Sequence, residues 1–297
     1  MFRQRTRKVD RRIVAAIADM HGGHALGLLN PDTILIRQLD DHGEQEEWTP
    51  DPTRTQERLW PLYLSLIDKT VQYADGCEII VFEVGDPVQG SRYTDGLIKG
   101  VDDEDQRIIA FWNLKPLIGL PNVKIGRLFT GTPVHVSPGY ADARVASMLD
   151  NEFPDRNVRA VHHTRSRIGE DTILDTSHHG PHPGSRDWLR GNVARYYLRD
   201  RIYRDRRSNK RPADAYIRAH RHVWVHETIN DVWWFRRSTH HLTVIPSICG
   251  FTSYARYATQ SEPELVNGMM LYEIIEGKLT NVESLIDFTD LRLEEEL

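Results

Sequence analysis

The sequence predicts an α/β fold, and three observations carry that expectation. The apolar run Ile13 to Ala18 is short and unbroken and ends at Asp19-Met20-His21-Gly22-Gly23, as a buried strand leaving through a sharp turn does. From Thr55 to Tyr73 the apolar residues Leu59, Leu62, Tyr63, Leu66, Ile67 and Val71 recur at helical spacing. A second apolar run, Cys77 to Val84, then stops at Gly85-Asp86-Pro87. Strands alternating with helices in this way define the class.

The remaining elements obey the same logic. The stretch from about Asn30 to Thr53 is polar and acidic and reads as a loop or insertion, and Pro61 falls in the first turns of the helix after it. Asp102 to Leu117 reads as a helix, Lys124 to Phe129 as a third strand ending in Gly131-Thr132-Pro133-Val134-His135, and Pro138 to Leu149 as another helix. The second half is richer in strands: Val158 to His163, Thr172 to Thr176, Ala215 to Arg218, Val223 to Trp234, His241 to Ile245, Met269 to Ile275 and Leu279 to Phe288. Glu276-Gly277-Lys278 suits a hairpin turn between the last two. A basic helical segment, about 185–211, separates the strands at Thr172 and Ala215.

Composition narrows the class of function. The chain has 297 residues with Lys+Arg 38, Asp+Glu 43 and a net charge of −5, and apolar residues are spread throughout, which excludes bulk disorder. Two cysteines, Cys77 and Cys249, exclude a disulfide framework and a four-cysteine zinc site. No apolar run approaches the roughly 20 residues of a membrane span. Met1 to Arg12 is too charged for a signal peptide, so a reducing, cytoplasmic setting is expected. The stretch Arg186 to Arg218 carries eleven Lys/Arg against four Asp. A local basic stretch in a mildly acidic chain suits an anionic ligand, and equally a solvated helix face.

Ten of the 14 histidines lie between His162 and His241. The chemistry emerges at the carboxyl ends of the strands. The first strand leads into Asp19 and His21, the second into Asp86, the third into Thr132 and His135. The strand at Thr172 leads into His178 and His179, and the one at Ala215 into His220 and His222, an alternation that puts both imidazoles on one face of an extended strand. In open α/β sheets ligands bind outside the carboxyl ends of strands. Carboxylate oxygen and neutral imidazole together suit borderline divalent ions such as zinc, manganese or iron. The set is large enough for two metals sharing one carboxylate, an arrangement suited to in-line displacement at phosphorus. His163 and His182 are placed as outer or substrate groups or, more simply, as solvated loop residues.

The order Asp19-Met20-His21, Gly85-Asp86, Gly131-Thr132-Pro133-Val134-His135, His178-His179 and Ala219-His220-Arg221-His222 resembles the calcineurin-like metallophosphoesterase superfamily. That family is marked by an Asp-x-His, a Gly-Asp, a Gly-Asn-His, a lone His and a Gly-His-x-His at successive strand ends. The resemblance runs from about Ile13 to His222. It implies two mixed β-sheets packed face to face with helices on the outer faces, in one domain over 1–297 with an insertion at about 30–75. It implies that Asp19, His21 and His222 serve one metal, that Asp86 bridges, and that His178 and His220 serve the other, with Thr132 and His179 as further candidates. His135, acting with Asp86 at the reacting centre, would steady the phosphate and protonate the leaving oxygen. Three departures stand out. Thr132 stands near the place of the family's Asn, two residues from His135, which leaves the second metal held weakly, by Thr132, or by water. Ala219 replaces a Gly. The separation of Asp19 from Asp86 is long. Variant motifs and insertions of this kind resemble phage-borne members.

The function so implied is hydrolysis of a phosphodiester or phosphomonoester by metal-activated water, with two divalent ions (manganese, zinc, iron or nickel) as cofactors. The substrate class divides between nucleic acid, a nucleotide and a phosphoprotein, with no membrane partner. The alternatives are a non-catalytic metal-binding module on the same scaffold and a phage structural or assembly protein.

Overall fold

The computed structural model describes residues 9–38, 44–92, 96–136, 140–182, 187–233, 236–251 and 264–292. The basic residues before Val9, His42, Pro138, Ser185, Arg186, Trp234 and the Glu294 to Glu296 run lie outside them.

Strand β1 (Arg11–Ile17) shows why its sequence is an unbroken apolar run. Ile13, Ala15 and Ile17 face a helical layer, while Val14 and Ala16 face a second sheet. A strand covered on both sides has no polar face to alternate with. Around it lies a sheet in the order β13-β12-β1-β4-β5-β6, built from β4 (Glu78–Glu83), β5 (Val123–Phe129), β6 (Val158–Val161), β12 (Glu264–Ile275) and β13 (Lys278–Asp290). β1, β4, β5 and β6 run parallel, and β12 and β13 are antiparallel additions.

The parallel strands need crossover helices. α1 (Arg54–Ala74) links the β1 side to β4 and starts at Thr53, whose hydroxyl accepts from the Gln56 amide while the Gln56 side chain accepts from the Thr53 amide. Pro61 lies inside this helix rather than at its start. α2 (Asp103–Ile118) is capped in the same reciprocal way by Asp102 and Asp105. With α4 (Ala141–Glu152) they bury Leu59, Tyr63, Leu66, Leu114, Leu117 and Val145 against the sheet. A short α3 (Pro133–Val136) follows β5. The polar stretch read as a loop contains a hairpin of β2 (Leu35–Gln38) and β3 (Gln45–Trp48).

The second sheet has the order β10-β11-β9-β8-β7, formed by β7 (Thr164–Ile168), β8 (Thr172–His179), β9 (Ala215–Ala219), β10 (Val225–Trp233) and β11 (Arg236–Val244). It is also mixed: β8, β9 and β11 run parallel, and β7 and β10 pair antiparallel at its edges. α5 (Asp187–Arg207) covers its outer face, burying Ala194, Leu198 and Ile202 against Tyr216, Leu242 and Val244. Between the sheets, Val14, Ala16, Phe82, Phe129 and Met270 pack with Leu174, Ala215, Ile217 and Ala219. Each large apolar side chain buried there contributes about 1.5–3 kcal/mol. The architecture is therefore an α/β/β/α sandwich, with two mixed sheets face to face and helices outside. The carboxyl ends of β1, β4 and β5 meet those of β8 and β9 along one edge of the interlayer.

No described helix is long and apolar enough to cross a membrane.

Candidate metal centre

At that edge the structure brings Asp19, His21, Asp86, Thr132, His135, His178, His220 and His222 together. They form two groups. In the first, Asp19 Oδ1 lies 3.9 Å from His21 Nε2 and 3.6 Å from His222 Nε2, and the two imidazole nitrogens are 3.3 Å apart. In the second, Asp86 Oδ2 lies 2.9 Å from His178 Nε2 and 3.9 Å from His220 Nδ1. Asp86 also stands within reach of the first group: its carboxylate and the nitrogens of His21 and His135 lie within 4.8 Å of one another. It shares a set of the same span with Asp19, His178 and His220.

The backbone is bent to achieve this. Ten described non-glycine residues have positive φ, and five of them are Asp19, His21, Asp86, His220 and His222. Each such residue costs roughly 1–3 kcal/mol, and conformations of this kind persist where the surroundings enforce them, commonly at functional sites. Hydrogen bonds hold the bends. The Asp19 amide donates to the Gly85 carbonyl, the His21 amide to the Asp86 carbonyl, and the His220 amide to Asp19 Oδ2 at 3.1 Å. His220 and His222 are thus not on one face of an extended strand, as their alternation suggested. β9 ends at Ala219, and the left-handed turn sends His220 towards Asp86 and His222 towards Asp19.

Two glycines make room for the second group. A Cβ on Gly85 would lie 2.4 Å from His178 Nδ1, and one on Gly131 would lie 2.1 Å from Asp86 Oδ1. Close approach is the reason for glycine at both positions.

Thr132 occupies the middle of the second group. Its amide donates to Asp86 Oδ1 at 2.6 Å and its hydroxyl to Asp86 Oδ2 at 3.0 Å. The hydroxyl oxygen also lies 3.2 Å from His178 Nε2 and 3.1 Å from His220 Nδ1. His178 Nδ1 donates to the Val84 carbonyl, which orients the ring with Nε2 towards Asp86. His135 is similarly tied: its Nδ1 donates to the Gln89 carbonyl, leaving Nε2 3.9 Å from Asp86. His179, at the exposed rim, places a ring nitrogen within 4.8 Å of those of His178 and His220.

The two groups differ in charge. Burial pushes His222 down to about 3 and His21 well below the ordinary imidazole range, so both rings are neutral and offer lone pairs. Burial raises the Asp19 carboxyl. In the second group burial also opposes charge, but the close ion pair outweighs it: Asp86 raises His178 to about 10, and His178 in turn holds Asp86 well below its usual range.

The residues fit a metal. Asp19 Oδ1 is fully buried and has no hydrogen-bond donor, and it faces two neutral imidazoles. A buried carboxyl oxygen without a donor is satisfied by a proton or a cation. The buried His/Asp cluster can therefore hold metal ions.

Cys249 carries no sequence signal as a site residue. Fully buried, it places Sγ 3.3 Å from His222 Nδ1, on the side of the ring away from Asp19. Its loop is pinned to β1 by the Ile248 amide on the Ala18 carbonyl, and to β12 by Asn267 Nδ2 on the Cys249 carbonyl. No spacing marks it, because it reaches the site through a loop bond rather than a strand end. His163 is also drawn in, though not to the centre: its Nε2 lies 2.9 Å from Asp175, which pairs with the buried Arg218 at 2.6 Å.

No family model matches the chain, and no curated protein does. Among solved structures, the sulfate thiohydrolase SoxB of Thermus thermophilus in complex with glycerol is 10% identical over 93% of this chain and 56% of its own, with a TM-score of 0.40. The protein TT1561, also of Thermus thermophilus, is 11% identical over 95% of this chain and 99% of its own, with a TM-score of 0.34. The chain thus spans about half the length of SoxB.

Proposed function

We propose that the chain is a dinuclear metal-dependent phosphoesterase of the metallophosphoesterase type. One observation carries the reading. Asp86 lies between two ligand sets, Asp19/His21/His222 and Thr132/His178/His220, within one buried cluster at the strand ends. On this reading Asp19, His21 and His222 hold one divalent ion, His178 and His220 hold the other, and Asp86 bridges. Thr132 offers a hydroxyl where the family pattern has an Asn, and His179 stands in reserve at the rim.

Two bound divalent ions would lower the pKa of a water to near neutrality and clamp the attacking and leaving oxygens of an in-line displacement. The protein's own groups do the rest. The Val84 and Gln89 carbonyls fix the tautomers of His178 and His135. His135 Nε2 faces the cluster and can hold a proton for the leaving oxygen. Asp19, His21, Asp86, His178 and His222 are themselves buried, which excludes bulk water and strengthens each charge interaction.

The test is metal content paired with turnover. The chain purified without chelator should carry close to two divalent ions and hydrolyse bis(p-nitrophenyl) phosphate with manganese, zinc or nickel supplied. Full activity of Asp86→Asn would sink the assignment. Thr132, a weaker donor than an amide carbonyl, favours a second reading, a non-catalytic metal-binding module. A metal content near zero or one together with no turnover would select it.

A further inference from the structure

A cavity of about 520 Å³ lies between α5 and β10 and shares no residue with the candidate metal centre. Ile202 and Ile229 contribute apolar surface, Asn230 a polar edge, and Arg199, Tyr203 and Arg207 the helical wall. Tyr196, Arg199, Tyr203 and Arg207 succeed one another at intervals of three or four residues, so they share one face of α5. Tyr196 is 69% and Tyr203 64% exposed.

The charges on α5 are not uniform. Arg195 pairs with Glu227, Arg201 and Arg204 with Asp200, and Arg206 with Asp231. Arg199 and Arg207 are exposed and carry no ion pair among the described residues. A chain of net charge −5 thus neutralises Arg195, Arg201, Arg204 and Arg206 locally and leaves Arg199 and Arg207 flanking the exposed Tyr203 ring.

We infer that this face binds single-stranded nucleic acid, with Tyr203 and Tyr196 stacking on bases and Arg199 and Arg207 meeting phosphates. Exposed aromatic rings interleaved with unpaired arginines are what a strand with free base faces recognises. A duplex hides those faces and offers only phosphates. The two tyrosines, seven residues apart, are separated by roughly 10 Å of helix rise, too far for one base to span. The face therefore suits a strand rather than a mononucleotide. The inference stands independently of the phosphoesterase reading.

The experiment is fluorescence anisotropy of a labelled thymidine oligonucleotide titrated with the full chain in EDTA, so that metal chemistry plays no part. The expected result is saturable binding that weakens as salt rises. Tyr203→Ala should weaken it by about tenfold or more, whereas Tyr203→Phe retains it. The double variant Arg199→Gln, Arg207→Gln should bind more weakly and with a smaller dependence on salt. All three substituted side chains are at the surface, so each variant should keep its melting temperature. The inference is overturned if the strand does not bind at low salt, if a duplex of equal length binds as tightly, if thymidine monophosphate competes as well as the oligonucleotide, or if Tyr203→Ala binds like the parent. Hydrolysis of bis(p-nitrophenyl) phosphate by Tyr203→Ala reports separately on the centre: turnover retained with binding lost separates the two readings.

Discussion

The two halves of the centre are built from similar residues yet solve opposite problems. Around Asp19 a buried carboxyl oxygen has no donor and faces two neutral imidazoles, with Cys249 behind one of them. Around Asp86 the atoms already satisfy one another, through the Thr132 hydroxyl and amide and the protonated His178. In the first half the raised Asp19 carboxyl is left to take up a proton or a cation. The second is closed by a proton, which a metal must displace. Similar ligands therefore need not bind equally: what decides is whether a donor inside the protein already satisfies them.

Substitutions can break this comparison one half at a time. Asp86 belongs to both halves, so Asp86→Asn has the largest expected effect: metal content falls towards zero and turnover drops by more than about a hundredfold, a ligand mattering at least as much as the outer groups behind it. Elemental analysis and diester hydrolysis on the same preparation check this. Gly131→Ala should weaken the second half most, where Thr132 and His178 meet Asp86, and reach the first half only through Asp86. Its Cβ would lie 2.1 Å from Asp86 Oδ1 and 2.4 Å from the Asp86 amide nitrogen, so the carboxylate must move. The expected outcome is about one metal per chain and a stability loss of about 1–3 kcal/mol, read by denaturant unfolding.

Cys249→Ala should act on the first half only. It removes the partner of His222 Nδ1, and the expected effect is a metal affinity about tenfold weaker at that half, measured by competition with a chromophoric chelator. The change with least effect on the centre is Asp175→Asn. Burial works against the Asp175 charge, but His163 and Arg218 outweigh it and hold the carboxyl below its usual range. A carboxyl with a depressed native pKa stabilises the fold above the ordinary carboxylate range and loses that contribution as pH falls through the native value. Melting temperature below about pH 4 should therefore fall less steeply in Asp175→Asn, with metal content unchanged. Lost metal in this variant would show that the Asp175–Arg218 pair supports the centre after all.

Much of the fold was legible along the chain. β1 and β4 are buried on both faces over most of their length, and a doubly covered strand leaves an unbroken apolar run. β7 and the first half of β11 were not, because Thr164-Arg165-Ser166-Arg167 and Arg236 to His240 carry polar and charged residues that mask a strand pattern. The hairpin of β2 and β3 was hidden for the same reason, with Glu46 and Glu47 exposed on a two-stranded ribbon. In the centre, every residue that follows a parallel strand could be found by reading strand ends. The turn at His220 to His222 could not, since alternation along an extended strand predicts one shared face and the left-handed backbone produces two directions.

By itself the sequence determined which side chains stand at strand ends, and that carboxylates and imidazoles come from both halves of the chain, because strand period and turn residues are local properties. Only the tertiary structure decided that the ends of two separate sheets meet, that Asp86 lies between two ligand sets, and that a cysteine after β11 backs His222. Those facts depend on how the two sheets pack across a shared core, and no local pattern encodes the distance between residues brought together in that way.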